Sequence, residues 1–181
     1  MKNGWFQLPI ATRDGQFIAR YSENGLAELD FPSCDRRRRG NESQTLSLDE
    51  SDGDSRRLLL VLAKIRAWHR VTESALQSIL AGRMPKNFPP LDAAGTAFQQ
   101  SVWQELRKIP LGQTKSYGEI AAKIGKPKAV RAVGSACGAN PIPVLVPCHR
   151  VIAAHGKLGG FSGRLGWKCK LLSAEGVQFP D

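Results

Sequence analysis

Acidic side chains run short in the second half of this 181-residue sequence. Residues 95–181 hold 4 Asp+Glu against 12 Lys+Arg, a net of +8, while residues 1–94 hold 12 against 14, a net of +2. A half that basic argues against a cationic partner and points to a polyanion, most simply nucleic acid. Cysteine and histidine are sparse as well. The four cysteines (34, 137, 148 and 169) form no CxxC pair and no evenly spaced framework, which excludes a disulfide scaffold. The three histidines are too scattered for a zinc site, so no metal is expected. No secretory signal and no long apolar span appear, and the expectation is a soluble chain, with no membrane contact, in a reducing, intracellular compartment. The length suffices for one domain with a full core or for two small ones.

What is present converges on residues 138–152, GANPIPVLVPCHRVI. Ile142, Val144, Leu145 and Val146 form a short apolar run bracketed by Pro141, Pro143 and Pro147, which predicts a buried extended segment. Proline stiffens the backbone, so Pro147 presents Cys148 from a rigid platform. A cysteine is a strong nucleophile only as thiolate, and its free pKa near ~8.5 demands a base or cation nearby. His149 and Arg150 follow directly. Neighbours on an extended chain point to opposite sides, so a water between Cys148 and His149 is the easier geometry. An inert buried cysteine followed by a surface His-Arg pair fits the stretch equally well.

Residues 5–31 read as β structure. Residues 17–21 and 26–29 flank Ser22-Glu23-Asn24-Gly25, and Asn-Gly is a strong hairpin signal. From Cys34 to Ser55 the chain turns polar, with four arginines at 36–39 and an acidic tract at 49–54, which is read as a solvated loop. Helices are predicted over 55–69 and 72–81, with Leu59, Leu62, Ile65, Leu76, Ile79 and Leu80 inward and Gly82 as the stop. The proline-rich stretch 83–91 predicts a linker, dividing an N-terminal α/β domain (1–90) from a C-terminal domain (91–181).

In the second half, Thr96 caps a helix with Phe98, Val102, Leu106 and Ile109 on one stripe, stopped by Pro110 and Gly112. Ser116-Tyr117-Gly118-Glu119 is a capping-box pattern opening the next helix, which Gly125 ends. Pro127 suits the first turn of a third helix over 128–138, so the pair predicts a helix-turn-helix. Val130, Val133 and Cys137 are expected inward on that helix, with Arg131, Gly134, Ser135 and Gly138 outward. A face with one arginine lacks the long polar side chains of a major-groove reader; it suits close approach to a backbone or minor groove. Close packing inside the protein is the alternative. The loop 156–163, GKLGGFSG, is placed to close over a pocket, and a last helix over 165–175 carries Leu171 and Leu172 inward. Glu175 in its final turn opposes the helix dipole, and a partnership with His149 would explain the placement.

Residues 95–176, containing PCHRV with Asn140 before it and Glu175 after it, closely resemble the O6-alkylguanine-DNA alkyltransferases. The resemblance implies an α+β fold in which a small sheet-and-helix domain precedes a winged helix-turn-helix-like domain carrying the cysteine. It implies DNA repair without a cofactor: irreversible transfer of an alkyl group from O6 of guanine, with O4-alkylthymine as a further substrate, to Cys148. The expected partner is duplex DNA bearing the lesion, and the expected solution state is a monomer that can assemble on DNA. By resemblance His149 activates the thiol through a water, Glu175 orients His149, and Asn140 braces the site. Tyr117 donates to guanine N3, Val151 and Cys148 lend carbonyls to the exocyclic amine, and the Ser162 N–H meets O6. Arg131 takes the place of the extruded base, with Ala129, Ala132, Gly134 and Ser135 leaving room for the minor groove. Phe161 stands where some relatives have tyrosine, Cys137 where the wall is often apolar, and Arg164 where glycine is common, which bears on substrate size. Nothing here matches the N-terminal Cys and His ligands of the family's zinc-binding forms. Alkyltransferase-like lesion binders share the architecture but lack the cysteine. A cysteine hydrolase would leave the helix-turn-helix and the basic half unexplained, and a transcriptional regulator would need a further DNA-binding domain.

Overall fold

The computed structural model describes residues 5–32, 53–161 and 165–178. The arginine run 36–39, most of the acidic tract, Cys34, Ser162 and Arg164 lie outside them.

Three strands, β1 (Phe6–Thr12), β2 (Gly15–Tyr21) and β3 (Leu26–Asp30), pair in order as an antiparallel sheet. Alternation sends Phe17, Ala19 and Tyr21 into the core, as period-2 patterning requires. The expected 22–25 turn joins β2 to β3, with Ser22 N–H donating to the Gly25 carbonyl.

The two helices expected over 55–81 are one: α1 runs unbroken from Gly53 to Leu80. Trp68-His69-Arg70-Val71 contains no glycine or proline to break it, and the Thr72 hydroxyl, at 0% exposure, is absorbed by bonding the Trp68 carbonyl one turn back. Leu59, expected inward, is exposed together with Leu60; Ile65, Leu76, Ile79 and Leu80 are buried. Gly82 stops the helix in a left-handed conformation (φ 66°), its N–H bonding Ile79 and the Arg83 N–H bonding Ser78. A Cβ there would lie 1.9 Å from the Ala174 carbonyl oxygen. Gly82→Ala should therefore lose at least about 2 kcal/mol, read as a lower urea midpoint.

Residues 83–92 run back along the sheet. Pro90 accepts from the Leu26 N–H, and the Asp92 N–H bonds the Leu26 carbonyl. Helix α2 (Ala97–Leu106) opens with a complete capping box between Thr96 and Gln99. Strand β4 (Lys115–Ser116) leads into α3 (Tyr117–Lys123), whose capping box joins Ser116 and Glu119. After a tight turn, α4 (Val130–Gly138) packs on α2 and α3, and the buried Trp103 indole N–H donates to the Ala136 carbonyl at 2.9 Å. Helix α4 starts two residues later than expected, and Val130 is exposed, because a turn over 127–129 rotates the first helical residue outward; Val133, Ala136 and Cys137 form the inner face.

Residues 148–150 are a turn of 3-10 helix rather than an extended segment. The chain reverses first at Val144, which sits at φ 75°, a strained value for a β-branched residue. The strand β5 (Val151–Ile152) then pairs in parallel with β4, and α5 (Leu165–Ala174) closes the fold. One apolar cluster joins both halves, from Ile10 and Phe17 to Val146 and Leu171. No helix among the described residues is long and apolar enough to cross a membrane.

Candidate active site

Three elements deliver the site. The 3-10 turn brings Cys148, His149 and Arg150, all buried. The end of α4 brings Asn140, and the C-terminus of α5 brings Glu175. The parallel β4–β5 pair, which the sequence reading missed, sets Lys115 opposite Val151 and Ser116 opposite Ile152, so Tyr117 opens its helix beside the cysteine segment. Two-residue strands carry too little pattern to be read from sequence.

Cys148 Sγ accepts from Asn140 Nδ2 at 3.1 Å, and the same amide nitrogen donates to the Val146 carbonyl at 2.8 Å. The Ile142 N–H donates to Asn140 Oδ1 at 3.0 Å, which fixes which way the amide points. Burial pushes the Cys148 thiol up to about 11, with the Asn140 bond working in the opposite direction. Thiolate formation therefore needs help.

His149 Nε2 lies 3.0 Å from Glu175 Oε1, both side chains being fully buried. Burial lowers the histidine pKa, against the pull of Glu175, so the ring rests neutral. An ionised carboxylate only accepts, which puts the proton on Nε2 and the lone pair on Nδ1. That Nδ1 is buried and has no hydrogen-bond partner among the described residues. It is a base held ready.

Arg150 is the residue whose role sequence reasoning missed. It is 4% exposed, not on the surface. Its Nε and Nη2 bond Glu175 at 2.9–3.1 Å, and Nη1 donates to the Ile109 carbonyl at 2.7 Å. Burial opposes the charge on Glu175, but the bonds from His149 and Arg150 outweigh it and hold its pKa at about 2. Glu175 is the C-cap of α5, where Gly176 ends the helix in a left-handed conformation, and Arg150 neutralises what the helix dipole would penalise. A positive charge directly after the histidine was visible in the sequence; its burial was not.

Tyr117 stands across the site, its hydroxyl donating to the Gly160 carbonyl at 3.3 Å and its ring facing Gly159. Burial, then the nearby thiols of Cys137 and Cys148, raise its pKa to about 12. Cys137 is buried on α4, with its thiol pushed up to about 12 by burial. Val151 is buried and its carbonyl accepts from Lys168 Nζ at 2.6 Å. Phe161 packs edge-on against Phe31 at 5.8 Å, tying the 156–161 loop to the N-terminal sheet. Ser162 lies outside the described residues. Arg131, Ala132 and Ser135 are exposed on the outer face of α4, with Ala129 and Gly134 partly so. A Cβ at Gly138 would meet nothing within 4 Å, and one at Gly134 would make an ordinary 3.9 Å contact with Tyr117. Packing within the protein does not explain the small residues. No group of His, Cys, Asp and Glu able to hold a metal occurs among the described residues.

Residues 97–177 match the family described as 6-O-methylguanine DNA methyltransferase, DNA binding domain. A methylated-DNA–protein-cysteine methyltransferase of Mycobacterium bovis is 51% identical over 105 residues, 58% of this chain and 64% of that protein. One of Methanosarcina acetivorans is 50% identical over 107 residues, 59% of this chain and 69% of that protein. The chain thus spans just under two thirds of the mycobacterial relatives it matches. Among solved structures, Mycobacterium tuberculosis OGT in complex with DNA is similar at a TM-score of 0.62 and 35% identity, covering 92% of this chain and 90% of that one. The Methanococcus jannaschii O6-methylguanine DNA methyltransferase, at 23% identity and a TM-score of 0.65, shares the fold. By sequence and by fold together, the chain belongs to the O6-methylguanine-DNA methyltransferase family.

Proposed function

We propose that this protein repairs DNA by moving an alkyl group from O6 of guanine onto Cys148, once and irreversibly. The observation that carries the reading is the buried line from Glu175 through His149 toward a thiol braced by Asn140, with His149 Nδ1 left as the acceptor. In the proposed reaction the Cys148 S–H proton passes through a water to Nδ1. The thiolate sulfur attacks the alkyl carbon, the carbon–O6 bond breaks with its electron pair on oxygen, and Tyr117 supplies a hydrogen bond to the departing purine. A thioether remains on the protein. Its carbon–sulfur bond offers water no ready leaving group, so each chain acts once. Val151 retains a second carbonyl lone pair for the base's amine beside its bond to Lys168. No step requires a cofactor.

The proposed approach is through the outer face of α4, followed by extrusion of the base. The open space at Gly138 and the loose 3.9 Å contact at Gly134 support it, since a close neighbour outside the protein accounts for residues that packing inside does not. The 12-to-4 excess of basic residues after residue 94 supplies the attraction to phosphate. Residues 1–90 act in this reading as a buttress and residues 91–181 as the working domain. Asp14 of the β1–β2 turn pairs with Lys170 at 2.6 Å, and Phe17 and Phe31 pack on Trp167, so the sheet holds the helix that carries Glu175. A lesion-binding protein without transfer is disfavoured by the presence and bracing of Cys148.

Incubation with DNA labelled in the O6-methyl group should leave the label on the protein in a denaturing gel. Label remaining wholly on DNA would overturn the reading. Arg131 tests the extrusion step: Arg131→Ala should slow transfer from duplex far more than from free alkylguanine, which needs no extrusion. Arg131→Lys should rescue it only in part, because lysine lacks the planar stacking surface. Equal slowing on both substrates would assign Arg131 to the fold instead.

A further inference from the structure

Lys168 is 0% exposed, yet no carboxylate pairs with it among the described residues. Burying an ammonium without a counter-charge is costly, and such a lysine is either neutralised or held by an anion. The nearest candidate acid on its own helix, Glu175, is committed to Arg150 and His149. Lys168 Nζ donates to two neutral carbonyls, Val151 at 2.6 Å and Leu158, and lies 6.0 Å from the centroid of the Tyr117 ring. Both carbonyls belong to the rim of the site, one on β5 directly after the 3-10 turn and one on the 156–161 loop. The Val151 N–H in turn bonds the Cys148 carbonyl, so the ammonium is tied through one residue to the turn that carries the thiol. The Cys148 thiol is the first of the groups that pull the lysine pKa upward against its burial.

We propose that Lys168, as a buried ammonium, is the counter-charge of the Cys148 thiolate and a positioning residue for the alkyl transfer. The inference rests on the proposed function of Cys148 and deepens it. His149 takes the thiol proton; Lys168 gives up none and takes none. Its charge instead stabilises the thiolate in a buried site, while its two carbonyl bonds keep the ammonium from swinging out to solvent. The other groups around the thiol do not fill this part. Arg150 is neutralised by Glu175, His149 rests neutral, Tyr117 and Cys137 are held protonated by burial, and Asn140 offers only a dipole. Desolvation works against the charged form of both members, lowering Lys168 and raising Cys148, and each charge relieves the other. Transfer ends that arrangement, since the sulfur becomes a neutral thioether.

The test uses the full chain and iodoacetamide, which reacts with the thiolate and needs no DNA. Alkylation of the Cys148 peptide is followed by mass spectrometry across pH for the native chain, Lys168→Met and Lys168→Arg. The midpoint should rise by about 1–3 pH units in Lys168→Met, the usual effect of removing an adjacent opposite charge, and stay near native in Lys168→Arg. An unchanged midpoint in Lys168→Met, even with slower repair, would reduce Lys168 to an anchor of the loop. An equal rise in Lys168→Arg would trace the effect to packing and overturn the proposal as well. Should Lys168→Met fail to fold, the same coupling is read on the native side chain. Lys168 carbon-13 shifts should report a lower pKa once Cys148 is alkylated by iodoacetamide, and an unmoved titration is the refuting result. If the native chain takes no label from methylated DNA while these shifts appear, the repair reading fails and the ion pair stands.

Discussion

Cys148→Ala should abolish acquisition of label from O6-methylated DNA while leaving binding to the same duplex intact. In the proposed reaction the thiol reacts while the basic surface and the exposed face of α4 bind, and these are different parts of the molecule. The substitution removes one sulfur atom and its bond from Asn140 Nδ2, and that amide keeps its bond to the Val146 carbonyl, so the turn should survive. Gel detection of protein-bound label and fluorescence anisotropy with a methylated duplex measure the two halves separately. Label on the variant would move the acceptor to another residue, with buried Cys137 the first to examine. Loss of binding together with loss of label would mean that Cys148 supports the fold.

Glu175→Gln should carry the largest combined cost in stability and rate. The carboxylate holds His149 with one oxygen and the guanidinium of Arg150 with both. A neutral amide leaves Arg150 buried without its counter-charge, and breaking a buried pair this way costs about 3–5 kcal/mol. Repair should slow too, because His149 loses the group that fixes its tautomer. A double-mutant cycle with His149→Ala should show rate losses that do not add. Arg150→Met combined with Glu175→Leu separates the two roles: two apolar groups restore most of the stability, yet transfer stays slow. Recovery of the rate in that double variant would show that Glu175 does not act through His149.

The pH dependence has a fixed sign. The folded pKa of Glu175, about 2, lies below that of an ordinary glutamate, so the group's contribution is complete above the unfolded value and lost as pH falls toward 2. The stability gap between the native chain and Glu175→Gln should therefore narrow as pH drops from about 5 to about 2, as followed by thermal melts. A gap constant over that range would mean the carboxylate is not the stabilising form.

Much of this was legible in the residues themselves. Asn-Gly named the β2–β3 hairpin, and the Thr96–Gln99 and Ser116–Glu119 spacings marked helix starts that the structure reproduces as complete capping boxes. These are local signals, decided within four or five residues of chain, and local chemistry is what a sequence displays directly. The Cys-His-Arg run and the outlying position of Glu175 likewise announced a site. The chain's own resemblance to its family carried the roles assigned to them.

Tertiary structure decided the rest, and each case turns on burial or on contacts between distant residues. The apolar spacing around residues 70–72 suggested two helices although no glycine or proline stood between them; α1 runs whole, and the Thr72 hydroxyl bonds back to Trp68. Leu59 and Val130 obey helical spacing yet face solvent, because spacing gives a face and not the distance the core extends beneath it. Arg150 reads as a surface residue until a carboxylate 25 positions away closes on it, and Lys168 reads as one more lysine of a basic half until α5 buries its ammonium against the Val151 carbonyl. A charge costs little in water and much in a dry interior. The sequence by itself determined which groups could react, and the fold determined which of their charges would be buried together, and so which of them would.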